Sequence, residues 1–239
     1  MADPIGKDEP SELQEFRLVR EVVNLIEREL FNSKGVALQY PMRVAPASSV
    51  EGVVARPGLL DIIGSFVACQ TGLNRPIELR RCKVDHKRVR AVYACFTDKV
   101  VILYADKLNG DIVNRCWTRF AICKEASHLL LSRHPAYIKT TAEEGIHLLE
   151  EILAGTVEDP HIKSEGMGFN AAMELLLPWK LRAKIEAMRD TRQTDFDIAT
   201  HCRVPEKYVS LMLRGGHEEW SRDINQRLDE EDEQALNLV

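Results

Sequence analysis

The run Arg119-Phe120-Ala121-Ile122-Cys123-Lys124-Glu125-Ala126-Ser127-His128-Leu129-Leu130-Leu131 lies midway along a chain of 239 residues and holds neither Pro nor Gly. Phe120, Ile122, Leu129, Leu130 and Leu131 spread apolar surface round most of the axis, which is the pattern of a helix buried in a core. Three polar residues, Lys124, Glu125 and His128, are set into it. Positions 124 and 128 are four apart and share a helix face. Position 125 is turned about 100° from 124 and can reach the same cleft. Buried polar groups are costly unless they are paired, so these three residues mark a candidate site.

Outward from this helix, the expected elements fall on both sides. The central helix should begin near Asp111 and stop at Arg133 or His134, before Pro135. On the N-terminal side, Val89, Ala91, Tyr93 and Cys95 alternate, as do Val100, Ile102 and Tyr104 beyond the turn Thr97-Asp98-Lys99. That alternation predicts a small antiparallel sheet of two or three strands, starting after Asn74-Arg75-Pro76. A helix is expected from Leu59 to Cys69, ending near Gly72, with an irregular stretch over 34–56. Phe16, Val19, Val23, Ile26 and Leu30 predict an amphipathic helix to about Phe31, with Ser11 and Gln14 as a capping box.

On the C-terminal side, helices are expected over Thr141–Ala154, over Ser164–Leu177 up to Pro178, and over 180–190. Asp195 to Leu213 reads as two short helices around Arg203-Val204-Pro205, followed by Gly215-Gly216 as a helix stop. This outline divides the chain into an N-terminal tail and amphipathic helix (1–33), a core (34–190), a helix pair (191–217) and an acidic tail (218–239). The tail should be flexible, with Trp220 anchoring its start.

Charge and composition narrow the function classes. Net charge is −5, and 45% of residues are hydrophobic, as in a soluble globular core. No apolar run approaches the ~20 residues that span a bilayer. The Met-Ala-Asp-Pro start is not a signal peptide, so a cytoplasmic, membrane-free protein is expected. Six scattered cysteines without a Cys-x-x-Cys pair read as reduced core thiols. Residues 75–90 carry seven Lys or Arg against two acids. A solvated edge strand explains this segment better than a binding patch. A DNA reader would need more cations than the helix pair offers in Lys207 and Arg214.

The polar trio has the spacing of the zinc-peptidase motif His-Glu-x-x-His, with Lys124 in place of the first His. In that motif two imidazoles bind the metal and the Glu activates its water. A lysine ammonium offers a metal no lone pair.

Residues 119–130 as a block resemble the Arg-Phe-x-x-x-His-Glu-x-x-His-x-x-Leu helix of the ImmA/IrrE family of bacterial and phage metallopeptidases. The strand Lys99–Tyr104 is similar to the one preceding that helix, and Phe169-Asn170-Ala171-Ala172-Met173-Glu174-Leu175-Leu176-Leu177-Pro178 resembles the family's Ala-Asn-x-Phe-Ala-Ala-Glu-Leu-Leu-Met-Pro block. Asp197–Arg214 is similar to its C-terminal helix pair, so the likeness covers about residues 55–215. The resemblance implies an α+β fold: a mostly helical zincin-like core, a small antiparallel sheet and a C-terminal helix pair. It also implies a cytoplasmic regulator, since family members typically cleave helix-turn-helix repressors.

Carried over by residue, Glu125 matches the general base and His128 the second zinc-binding His. Glu165, counted back from Pro178, matches the third ligand. Lys124 departs from the pattern. Two forms of the site follow. In one, zinc is lost and the Lys124 ammonium takes its space, paired with Glu125 or Glu165; the alternative for Lys124 is to snorkel to solvent. In the other, zinc persists on His128, Glu165 and a substitute such as Cys123, His134 or His147. The first is expected: no cofactor, and a protein partner that is a transcriptional regulator. The rivals are an active zinc endopeptidase and a DNA-binding factor. Trp117 and Trp179 are expected in the core or cleft wall. His86, His161 and His217 are expected in solvated loops, and Ser127 has no His-Asp partner that would make it a nucleophile.

Overall fold

The structure, a computed structural model, describes residues 12–32, 58–82, 91–105, 111–131, 162–214 and 216–237. Its elements in chain order are α1 (Glu12–Asn32), α2 (Leu59–Thr71), β1 (Ile77–Cys82), β2 (Ala91–Cys95), β3 (Val100–Ala105), α3 (Ile112–Leu131), α4 (Ile162–Leu176), α5 (Trp179–Asp190), α6 (Asp195–Cys202), α7 (Glu206–Arg214) and α8 (Gly216–Asn237). The expected helix over Thr141–Ala154, the irregular 34–56 stretch and the Ser11 cap lie outside the described residues.

α3 is the hub. Asp111 opens it by accepting the Asn114 N–H at 2.8 Å, which satisfies one of the helix's unpaired first-turn donors. Helices α1, α2, α4 and α6 and strands β2 and β3 all pack on α3. It is therefore buried nearly all round, and twelve of its twenty residues are buried. This is the all-round core helix that the 119–131 run predicts.

The three-stranded sheet has the order β1-β3-β2. β2 and β3 form the expected antiparallel hairpin, with Val92 opposite Leu103 and Cys95 opposite Val100. The expectation of an antiparallel sheet fails at β1, which runs parallel to β3 with Ile77 opposite Val100 and Cys82 opposite Ala105. The strand order, as distinct from the direction of β1, follows from β3 itself. Val100, Val101 and Ile102 are consecutive buried residues, a run that suits a central strand covered on both sides. The less buried strands β1 and β2 take the edges, and the exposed Arg80 and Arg81 sit on an edge strand, where charge discourages further pairing.

α2 begins at Gly58, whose N–H donates to the Asp61 carboxylate at 2.7 Å. It ends at Gly72, with φ +70°, a left-handed turn that glycine adopts without steric cost. α6 opens with a reciprocal box between Thr194 and Asp197. The C-terminal helix pair is present as α6 and α7.

Residues 216–237 form a helix, not the flexible tail expected from their charge. Trp220 meets Phe16 of α1 edge-on at 4.6 Å between ring centroids. Ile224 and Leu228 follow at four-residue steps and are buried, a narrow apolar stripe worth about 1.5–3 kcal/mol per side chain. Beyond it, Arg17 of α1 pairs with Glu231 at 2.8 Å and with Asp232, and Arg20 pairs with Asp229. The acidic charge is thus met by cations from the opposite end of the chain.

Candidate functional site

Lys124, Glu125 and His128 all lie on α3, and His128 projects into the space between the sheet and α4. Glu125 and His128 are buried, and the Lys124 side chain is 21% exposed. Lys124 Nζ donates to Glu125 Oε1 at 3.1 Å. Lys124 therefore does not snorkel away: its charge turns onto the adjacent carboxylate, compensating part of the cost of burying both.

His128 is held from two sides. Its ring stacks on Tyr93 of β2, with centroids 5.5 Å apart and planes 16° apart. On the other side lies Gly168 of α4, where a Cβ would stand 2.7 Å from His128 Cε1 and 2.9 Å from Nε2. Real Cβ atoms do not approach so closely, so the backbone of α4 comes this near only because residue 168 is glycine. Position 165 falls one turn earlier on α4, on the helix that packs most extensively on α3; its side chain is outside the described residues. Neither Tyr93 nor Gly168 was identified from sequence, although a glycine inside an apolar helix is itself a sign of close approach.

The remaining site residues sort clearly. Cys123 is fully buried and its Sγ donates to the Ala172 carbonyl at 3.9 Å. Burial pushes its thiol up to about 12, which favours the protonated form in this setting. Ser127 Oγ donates to the Cys123 carbonyl one turn back. His134, His147, His86 and His161 lie outside the described residues. All six cysteines are free thiols, three of them buried.

Arg119, in the Arg-Phe pair at the head of the motif, has a role invisible in the sequence. Its Nη1 donates to the carbonyls of Cys202 at 2.8 Å and Arg203 at 3.2 Å. It thereby caps the C-terminal end of α6, where a cation also meets the negative pole of the helix. Phe120 packs with Phe169 and Tyr208, so the motif helix holds the C-terminal helix pair directly. Trp117 also meets Tyr208 edge-on, and Lys207 Nζ lies 4.7 Å from the centroids of both rings. One of the two cations that this helix could offer a phosphate backbone is occupied by aromatic faces. In the basic segment, Arg80 pairs with Glu78 at 2.6 Å, and Lys99 from the β2–β3 turn reaches the same carboxylate at 3.3 Å; Lys87 and Arg88 lie outside the described residues.

A second buried polar cluster joins α4, α5 and α8. Glu174 accepts from the Trp179 N–H at 2.6 Å, Arg182 Nη2 at 2.5 Å and Ser221 Oγ at 2.8 Å. Trp179 opens α5 and lies under the Arg182 guanidinium, 5.7 Å from its ring centroid. His217 is buried on α8, not solvated in a loop as expected. One ring nitrogen is 3.1 Å from Arg182 Nη2 and the other 3.1 Å from Asn170 Oδ1. Burial first, and then the charge of Arg182, push His217 down to about 3. It is neutral at every physiological pH, with the nitrogen toward Arg182 accepting.

Among the described residues, no three His, Cys, Asp or Glu side chains converge as a metal site would require. At the position where the resembled motif has its first imidazole ligand stands an ammonium bonded to Glu125; the Glu165 side chain, His134 and His147 lie outside the described residues. No step through a metal follows from this geometry. Compared with protein-family models, with curated proteins and with solved structures, the chain finds no match.

Proposed function

We infer that the chain is a cytoplasmic regulatory protein of the ImmA/IrrE type, built on that family's zincin-like core, that acts by binding a protein partner, a transcriptional regulator, without the family's peptidase chemistry. The carrying observation is the Lys124–Glu125 pair, 3.1 Å between Nζ and Oε1. A general base must be available to take a proton from water. Here the matching carboxylate is buried and one of its oxygens accepts from the Lys124 ammonium.

The helix order, the hairpin before α3 and the α4 block ending at Pro178 support the resemblance. The buried packing of α7 on Phe120 and Trp117 supports a structural role for the helix pair over a DNA-reading one. Among the described residues, no helix is long and apolar enough to cross a membrane.

The test is metal analysis of protein purified without chelator, combined with incubation against helix-turn-helix regulators. The expected result is a stable complex with an intact regulator and sub-stoichiometric zinc. Stoichiometric zinc lost on His128→Ala, or regulator cleavage stopped by chelators, overturns the reading in favour of an active peptidase. Tight DNA binding at low salt, abolished by neutralising Arg80, Arg81, Lys87 and Arg88, overturns it in favour of a DNA-binding factor.

A further inference from the structure

We propose that the last turns of α8, residues 229–237, are a charge-operated strap: they dock on α1 and hold their helix as one event, and they open together while the rest of α8 stays in place. The inference is independent of the regulatory reading. Different forces hold the two parts of α8. Up to Leu228 the helix is anchored by packing, with Trp220 against Phe16 and with Ile224 and Leu228 buried. Leu228 is the last buried side chain among the described residues of α8, and Asp229 to Gln234 are exposed or half-exposed. Past Leu228, the described contacts with α1 are ion pairs. Arg17 Nη2 meets Glu231 at 2.8 Å, Arg17 Nη1 meets Asp232 at 2.5 Å, and Arg20 pairs with Asp229.

The charge of this stretch works against its own helix. Asp229-Glu230-Glu231-Asp232-Glu233 is a run of five acids. Asp229 therefore meets Asp232 and Glu233 at three- and four-residue spacing, and Glu230 meets Glu233, all like-charge pairs. The run also stands toward the negative pole of the helix, where carboxylates are disfavoured, and the last turn of α8 holds no basic residue to offset it. Within the stretch, Glu230 accepts from Gln226 Nε2 at 2.9 Å. The cations that are missing from α8 come from α1, as Arg17 and Arg20, three residues apart. Glu21, half-buried and one turn beyond Arg17, opposes them and keeps the balance close. Helix and docking thus stand or fall together over these residues, as in a local cooperative unit. Each pair is partly exposed and weak by itself, so the strap opens at small cost. Opening uncovers Arg17 and Arg20 without unseating the apolar stripe, and access to these two cations of α1 follows the charge on the strap.

The experiment is hydrogen exchange of the full chain at low ionic strength, followed amide by amide. In the native protein, residues 229–237 are expected to share one level of protection, below that of residues 217–228. Arg17→Gln/Arg20→Gln is expected to speed exchange over 229–237 by roughly tenfold, the combined loss of three weak pairs, and to leave 217–228 unchanged. Adding Glu233→Lys to that variant places a cation near the helix end and four residues after Asp229, and is expected to restore part of the protection. Three results overturn the proposal. In the first, 229–237 keep native protection without the two arginines, so the arginines are not the latch. In the second, 217–228 lose protection along with them, so α8 opens as a whole. In the third, Glu233→Lys restores nothing, so the strap's own charge is not what opens it.

Discussion

Lys124 and Glu125 are neighbours in sequence whose side chains meet at 3.1 Å in a mostly buried setting. Removing the cation by Lys124→Met takes a compensating charge away from the buried Glu125 carboxylate. The expected loss is about 1–3 kcal/mol in urea unfolding, and Lys124→Met/Glu125→Gln should recover part of it because no net charge then remains. A double variant that is additive would show that the pair is not coupled. Gly168 gives a second prediction. Gly168→Ala drives a methyl into the His128 ring, with an expected cost of about 1–3 kcal/mol from overpacking. His128→Ala in the same chain should relieve most of that, and equal destabilisation in both backgrounds would mean that α4 can slide away freely. The motif spacing placed Lys124, Glu125 and His128 on one helix correctly, because i, i+4 geometry is a local property. It had no access to Tyr93 or Gly168, whose contacts with His128 arise from a strand and a helix far away in sequence.

α8 is the element where charge misled. Eight acids against two arginines from Glu218 onward suggest a solvated tail, yet Trp220, Ile224 and Leu228 lie on one stripe and meet α1 and its surroundings. Leu228→Ala is expected to destabilise the fold by about 2–5 kcal/mol, as large-to-small changes in a core do. Arg17→Gln and Arg20→Gln should each cost only about 0–1 kcal/mol, and less in high salt, because these pairs are partly exposed. Hydrogen exchange along α8 would check the order: a helix lost with the arginines but tolerant of Leu228→Ala would show that charge, not the stripe, docks it. The stripe was legible from its four-residue steps; its partner was not. α3 shows the opposite balance, since an uninterrupted apolar run has no stable place except the core.

Across the whole molecule, the Glu174–Arg182–His217–Ser221 cluster ties α4, α5 and α8 and makes stability depend on pH. His217 is pushed from 6.5 down to about 3 in the fold. Below 6.5 the unfolded chain therefore binds a proton that the folded chain refuses. Stability should fall as pH drops from about 6.5 toward 3, by up to about 1.4 kcal/mol per pH unit from this residue. Tm measured from pH 7 to pH 5 should decline in the native protein and decline less steeply in His217→Gln; identical slopes would remove His217 as the cause. The sequence by itself determined the elements: the buried α3, the hairpin with its turn, the helix that stops at Pro178 and the α6–α7 pair. Each of these is written in a local period or a chain-breaking residue. Tertiary structure alone decided that β1 lies parallel to β3, that Arg119 caps α6, that His217 is buried and neutral, and that the acidic C-terminal helix docks on α1. Those outcomes depend on which surfaces meet across long stretches of chain, and no spacing within a single segment encodes them.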